Sequence, residues 1–145
     1  MKDKRIYANF WVDDVNVRGI ALCYNWVKEC GAVWLAKPDL HIQRVVDAII
    51  NHDYGSWENF ISQRSVYAKY ETIKRKPMVY NEERVALFMW EWAKQILESG
   101  ADSNISAYKL DRILYLYCTN GRFYLDENKN GSISETAILN MIYQK

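Results

Sequence analysis

Apolar residues recur at helical intervals in the segment that follows Pro38. Between residues 40 and 51 most of them are three or four positions apart, which places them on one face of an α-helix. They are Leu40, Ile42, Val45, Val46, Ile49 and Ile50. Pro38 cannot continue a helix from the preceding residues, and Asp39 is a residue type that caps helix N-termini. We therefore predict a helix that begins after Asp39 and ends at residues 52–55.

Five further helices are predicted from apolar stretches that lie between helix-starting and helix-ending residues. They cover residues 17–30, 56–76, 81–100, 104 or 106 to 117, and 132–143. The helix after Asn81 has the most complete pattern, because Glu82 and Glu83 occupy its first turn, where the helix dipole favours negative charge. Ser132 and Glu135 have the spacing of a capping box before the last helix.

Two segments lack a helical pattern. Residues 6–12 fit a short strand or an extended lead-in, and residues 119–131 are rich in Gly, Asn and Asp. The second segment fits either a loop or a small β-hairpin near residues 122–133. We therefore predict an all-α fold, with a single compact bundle of about six helices in one domain that covers residues 1–145.

Composition and charge narrow the possible classes of protein. The chain has 145 residues, which suits one domain, and its 14% aromatic content provides large rings for a core. The formal net charge is only +1, whereas dedicated nucleic-acid binders carry a clear basic excess. Any binding to nucleic acid would therefore depend on a local patch. The densest basic run, residues 74–76, fits a solvated helix end or a loop better than a phosphate site.

The cysteines and the hydropathy indicate a cytoplasmic protein. Cys23, Cys30 and Cys118 form no CxxC pair and are odd in number, so a disulfide framework is not expected and a reducing compartment fits. No signal peptide is seen after the basic N-terminus, and no apolar stretch approaches the ~20 residues that span a bilayer. We therefore expect no membrane association.

No metal or other cofactor is expected. His41 and His52 are the only histidines and lie too far apart on a helix to share one zinc ion. Residues 126–137 resemble an EF-hand calcium loop in part, but position twelve, where a bidentate Glu is required, is Ala137. A tight polar turn explains this segment better, and calcium binding there stays a minor alternative.

One segment resembles a known family. Residues 37–45 read Lys-Pro-Asp-Leu-His-Ile-Gln-Arg-Val, which is similar to the second half of the helix-hairpin-helix, Gly-Pro-Asp motif of DNA glycosylases. Asp39 matches the catalytic aspartate of that superfamily, while His41 and Arg44 match the residues that usually follow it. Gly19 matches one glycine of the hairpin, and Lys37 is placed to meet a DNA phosphate. The resemblance covers residues 15–52 and extends faintly over 81–125.

The resemblance implies a DNA-binding protein that hydrolyses N-glycosidic bonds. A carboxylate beside the sugar can stabilise the cation-like transition state or activate water. Ala21 occupies the position at which bifunctional members carry a lysine, so the implied enzyme is monofunctional. The hairpin keeps only one of its glycines, and only about twenty residues precede the motif. Another protein would then supply the missing N-terminal part of the fold.

A second hypothesis comes from a different class of protein. The chain could be a non-catalytic helical module, of a type found in mobile elements or phages, that binds another protein through an aromatic surface. Asp39 would then be a plain N-cap and His41 and Arg44 surface residues. The enzyme hypothesis predicts Asp39 partly exposed in a concave site, near the backbone N–H groups of the hairpin. The interaction hypothesis predicts Asp39 hydrogen-bonded to its own helix, no cleft, and an exposed apolar patch.

Overall fold

The computed structural model describes residues 20–75, 78–118 and 134–143. In these ranges the chain forms six α-helices, one 3₁₀ helix and one antiparallel pair of strands. The elements are α1 (Ile20–Glu29), α2 (Leu40–Tyr54), α3 (Trp57–Gln63), the 3₁₀ helix (Ser65–Lys69), β1 (Ile73–Arg75), β2 (Met78–Tyr80), α4 (Glu82–Ser99), α5 (Ala107–Cys118) and α6 (Glu135–Ile142). The predicted all-α fold with one small hairpin is confirmed.

Helix α2 is the centre of the packing. It contacts α3, α4, α5 and α6, and its inward face is almost completely buried. The Asp39 side chain accepts a hydrogen bond from the Ile42 backbone N–H at 3.0 Å, which satisfies one of the free donors at the helix N-terminus. Gly55 ends the helix with φ +79°, in the left-handed region that favours glycine. The predicted helix is therefore confirmed at both ends.

The helix predicted over residues 56–76 is wrong beyond Gln63. Helix α3 ends there, and the chain continues through the 3₁₀ helix into β1, which pairs with β2 in the register Ile73↔Tyr80. Burial explains the change, because the Tyr67 side chain is fully buried and donates its hydroxyl hydrogen bond to Glu91 on α4. The strands of this hairpin are thus residues 73–75 and 78–80, while the hairpin considered near 122–133 falls outside the described residues.

The last three helices differ in how their N-termini are capped. Asn81 occupies the N-cap position of α4, but its side chain makes no capping hydrogen bond and accepts one from Thr72 Oγ1 instead. Ser106 caps α5 by accepting from the Lys109 backbone N–H. Helix α6 is capped by Ser134, so the prediction that a capping box starts it at residue 132 is wrong.

Aromatic rings fill the part of the core between α2, α3 and α4. The Phe60 ring makes edge-to-face contacts with Tyr54, Trp57 and Tyr67, with ring centroids between 4.8 and 5.6 Å apart. Such contacts add stabilisation beyond the area that they bury. They join one hydrophobic cluster that includes residues from α2 to α6. No helix within the described ranges is long and apolar enough to cross a membrane.

Candidate functional site

A half-open cavity of about 210 Å³ lies beside the N-terminus of α2. Side chains from α1, the connector before α2 and α5 surround it. They are Asn25, Lys28, Lys37, Asp39, Asp111, Arg112, Tyr115 and Leu116. The cavity therefore brings together two carboxylates, three basic side chains and one aromatic ring, taken from parts of the chain that are more than 70 positions apart.

Asp39 uses its two carboxylate oxygens differently. Oδ1 accepts the capping hydrogen bond from Ile42, while Oδ2 lies 4.0 Å from the Lys37 Nζ. The Asp39 side chain is 15% exposed and lines the cavity, so it is neither buried nor free in solvent. The capping contact fixes the side chain in one orientation. Asp39 is therefore both the cap of α2 and part of the cavity wall.

The deepest polar contact of the site is an ion pair between Lys28 and Asp111. Lys28 Nζ lies 3.0 Å from Asp111 Oδ2, and the two side chains are only 3% and 4% exposed. The Lys37 backbone N–H donates to the same oxygen at 2.6 Å. Burial raises the pKa of Asp111 and the nearby Asp39 charge raises it further, while the Lys37 amide and Lys28 act in the opposite direction.

This ion pair holds the connector that carries Asp39. The Lys37 backbone N–H is bonded to Asp111, and the next two residues lead directly into α2. The Gln43 side-chain amide donates to the Pro38 carbonyl at 3.0 Å, which fixes the same segment from the other side. Asp39 is therefore presented to the cavity from a backbone that is tied to both α5 and α2.

The remaining predicted site residues do not all reach this cavity. Lys37 lines it, 36% exposed. His41 is half-buried outside the cavity lining, with its ring edge-on to Tyr115 at 5.3 Å, and its buried Nδ1 has no hydrogen-bond partner among the residues that the structure describes. Arg44 lines a different cavity together with Asp47 and Glu135. Gly19 falls outside the described residues.

Sequence reasoning missed Lys28, Asp111 and Tyr115. A signal was present for Asp111, because it lies on the same helical face as Leu114 and Cys118, both of which are buried. A charged residue at such a position usually has a buried partner. The partner itself, 83 positions away, has no local signature. Among the described residues no group of three His, Cys, Asp or Glu could hold a metal ion.

A second concave surface is apolar. It forms a groove between the 32–36 connector, α4 and the start of α5, and Val33, Trp34 and Leu97 in it are each about half exposed. Trp90, Lys94 and Ile105 also line it. Neighbouring exposed apolar residues of this size are a common feature of interaction surfaces.

No family model matches the chain, and searches of curated proteins and of solved structures found no match. The resemblance of residues 37–45 to DNA glycosylases therefore stays a prediction.

Proposed function

We propose that the protein binds DNA, receives one nucleotide in the cavity beside Asp39, and hydrolyses its N-glycosidic bond as a monofunctional glycosylase. The observation that supports this proposal is that Asp39 caps a helix and lines a cavity at the same time. One oxygen is fixed by the α2 N-terminus, and the side chain still lines a half-open cavity. A carboxylate held in this way needs no reorganisation when positive charge develops beside it.

The proposed chemistry uses one water molecule. As the bond between the sugar C1′ and the base breaks, the base leaves with the electron pair and the sugar acquires cationic character. The Asp39 carboxylate stabilises that charge and accepts a proton from the attacking water, whose oxygen bonds to C1′. Asp111 is a positioning residue in this scheme, because it acts through the Lys37 backbone that precedes Asp39.

The other residues of the cavity supply the contacts that a nucleotide needs. Lys37 and Arg112 place positive charge at the cavity, where they can meet phosphate oxygens. The Tyr115 ring offers a face on which an extruded base can stack in place of its neighbours in the duplex. With a net charge of +1, the chain then depends on this local patch for DNA affinity.

The test is an excision screen on duplexes that carry damaged or mismatched bases, with wild type and Asp39→Asn. Asn is as good an N-cap as Asp, so this variant keeps the fold and removes only the charge. We expect a loss of about 100-fold or more in rate. Asp102→Asn is the matched control, because exposed Asp102 also accepts a backbone hydrogen bond, from Asn104 at 2.8 Å, but lies outside the cavity.

DNA affinity provides a second readout. Binding should weaken with salt, and Lys37→Ala should reduce the slope of log affinity against log salt by about 1. A wild-type protein that neither excises any base nor binds DNA would contradict the proposal. Equal excision by wild type and Asp39→Asn would remove Asp39 from the mechanism.

The apolar groove supports the second candidate function, a non-catalytic module that binds another protein. Its exposed residues Val33, Trp34 and Leu97 form an apolar surface with no covering element among the described residues. A photoreactive residue introduced at Val33 should then give one discrete crosslinked product in cells. Leu97→Glu should abolish that product, whereas a product that persists in this variant, or no product at all, would count against binding at the groove.

A further inference from the structure

A cavity of about 260 Å³ lies on another side of α2, where the end of that helix meets α4 and α6. Four aromatic residues and two acidic residues contribute to its lining: Tyr54, Phe88, Trp92, Tyr143, Asp53 and Glu91. The cavity is half-open to solvent and shares none of its lining with the cavity beside Asp39. It has no part in the proposed function.

Hydrogen bonds and ring contacts fix one wall of this cavity. The Tyr143 hydroxyl donates to Asp53 Oδ1 at 2.7 Å, which links the end of α6 to the end of α2. The His52 ring stacks on the Tyr143 ring with centroids 4.1 Å apart, and its Nδ1 lies 2.8 Å from the same Asp53 oxygen. The Tyr143 ring and the Asp53 carboxylate are therefore held in place before any ligand arrives.

The charges of the lining favour a cation. Among the described residues, Arg64 is the one basic residue that lines the cavity, and its Nη2 donates to Glu91 Oε2 at 2.8 Å. The Tyr67 hydroxyl donates to the same Glu91 oxygen. The Arg64 charge is thus balanced by Glu91, and Asp53 is the other carboxylate of the lining, with its Oδ1 in contact with His52 Nδ1 and the Tyr143 hydroxyl.

We propose that this cavity binds a small organic cation that carries an alkylated ammonium group. Aromatic rings attract such groups through the negative faces of their π systems, and Trp is the most effective of them. A nearby carboxylate adds Coulombic attraction in a site that is partly shielded from water. An alkylated ammonium also suits the apolar part of the lining, because its methyl groups lose little hydration on entering the cavity.

The test compares choline with 3,3-dimethyl-1-butanol, which has the same shape and no charge, by calorimetric titration of the full chain. We expect saturable binding of choline that is at least about fivefold tighter than that of the neutral alcohol. A peptide with trimethyllysine, titrated in parallel, shows whether the cation is preferred free or on a side chain. Equal binding of choline and the alcohol, or no saturable binding of either cation, would overturn the proposal.

Two variants assign the binding to this cavity. Asp53→Asn removes the carboxylate charge at a side chain that is 39% exposed, so the fold should tolerate it, and Trp92→Leu removes a ring face while keeping an apolar side chain. Each should weaken choline binding about fivefold or more. The matched controls Asp102→Asn and Trp34→Leu change residues outside the cavity and should leave the affinity for choline unchanged. Choline affinity that is unaffected by both cavity variants would also overturn the proposal.

Discussion

Removal of the Lys28 charge should destabilise the protein far more than removal of a surface lysine. Lys28→Met keeps an unbranched apolar chain and deletes the ammonium group that lies 3.0 Å from Asp111 Oδ2. Asp111 would then retain only the Lys37 backbone N–H, at 2.6 Å, as a described donor. A carboxylate that is 4% exposed would have lost its counter-charge.

The magnitude follows from the burial of both groups. At a separation of 3.0 Å and an effective dielectric constant of about 20, the attraction amounts to roughly 5 kcal/mol. The desolvation of the two ions costs several kcal/mol each, so the intact pair contributes little net stability. Breaking it is different, because the desolvation of Asp111 remains and the attraction is lost. We therefore expect Lys28→Met to lower the free energy of unfolding by about 3–5 kcal/mol at pH 7.

The penalty should decrease at acidic pH. Burial already raises the pKa of Asp111 above its ordinary value of 3.8, and the loss of Lys28 raises it further. Because the folded state then binds the Asp111 proton more tightly than the unfolded state does, the contribution of Asp111 to the free energy of unfolding is most favourable below the pKa that Asp111 has in the unfolded state. It is lost as the pH rises through the folded pKa. The difference between variant and wild type should therefore be small near pH 4 and largest at neutral pH.

Urea unfolding followed by tryptophan fluorescence measures these differences. Lys94→Met is the control, because Lys94 pairs with Glu98 at 3.7 Å on the surface of α4 and should cost no more than about 0.5 kcal/mol. The double variant Lys28→Met, Asp111→Asn should recover most of the lost stability, since neither charge is then buried and the Asn side-chain oxygen can still accept from the Lys37 backbone N–H. A cost below about 1 kcal/mol for Lys28→Met, or a cost that does not change with pH, would refute the reasoning.

Three further predictions concern single residues. Burial raises the pKa of the Cys118 thiol to about 11, so iodoacetamide at pH 8 should modify exposed Cys30 but not Cys118 until the protein unfolds. Peptide mass spectrometry measures the modification of each cysteine, and equal rates for the two would contradict this prediction. Gly100→Ala should cost about 1 kcal/mol in thermal unfolding because Gly100 has φ +74°, and Gly100→Asn should cost less. Ser134→Ala removes the cap of α6 and should cost about 1 kcal/mol and accelerate amide exchange there; unchanged exchange would exclude the capping role.

The helices that could be predicted are those whose local signals agree with one another. For α2, the preceding proline, the capping carboxylate of Asp39, the apolar spacing and the ending glycine all indicate the same element, and the structure contains it. For residues 64–80 the determining contacts are distant in sequence. Arg64 and Tyr67 both reach Glu91, which lies 27 and 24 positions away. Apolar spacing alone cannot reveal such contacts, so it predicts a helix that continues beyond Gln63, where α3 ends.

The same distinction between local signals and contacts distant in sequence applies to the candidate site. Asp39 and Lys37 could be found because they lie in one short segment with a recognisable pattern. Lys28 and Asp111 could not be paired from the sequence, since their contact depends on how α1 packs beside α5 across 83 positions. The position of Asp111 on a buried helical face was a usable hint, but it indicates only that some partner must exist.

The capping role of Asp39 does not compete with a chemical role for it. A carboxylate that caps a helix through Oδ1 keeps Oδ2 for other contacts, and here Oδ2 lies beside Lys37 at the cavity. The hydrogen bond from the Ile42 backbone N–H is the contact expected of a purely structural N-cap. The same bond immobilises the Asp39 carboxylate, and a reacting carboxylate requires a fixed position. The contact alone is therefore compatible with both roles. Only a substitution that keeps the cap and removes the charge separates them, and Asp39→Asn is that substitution because the Asn side-chain oxygen can accept the same bond.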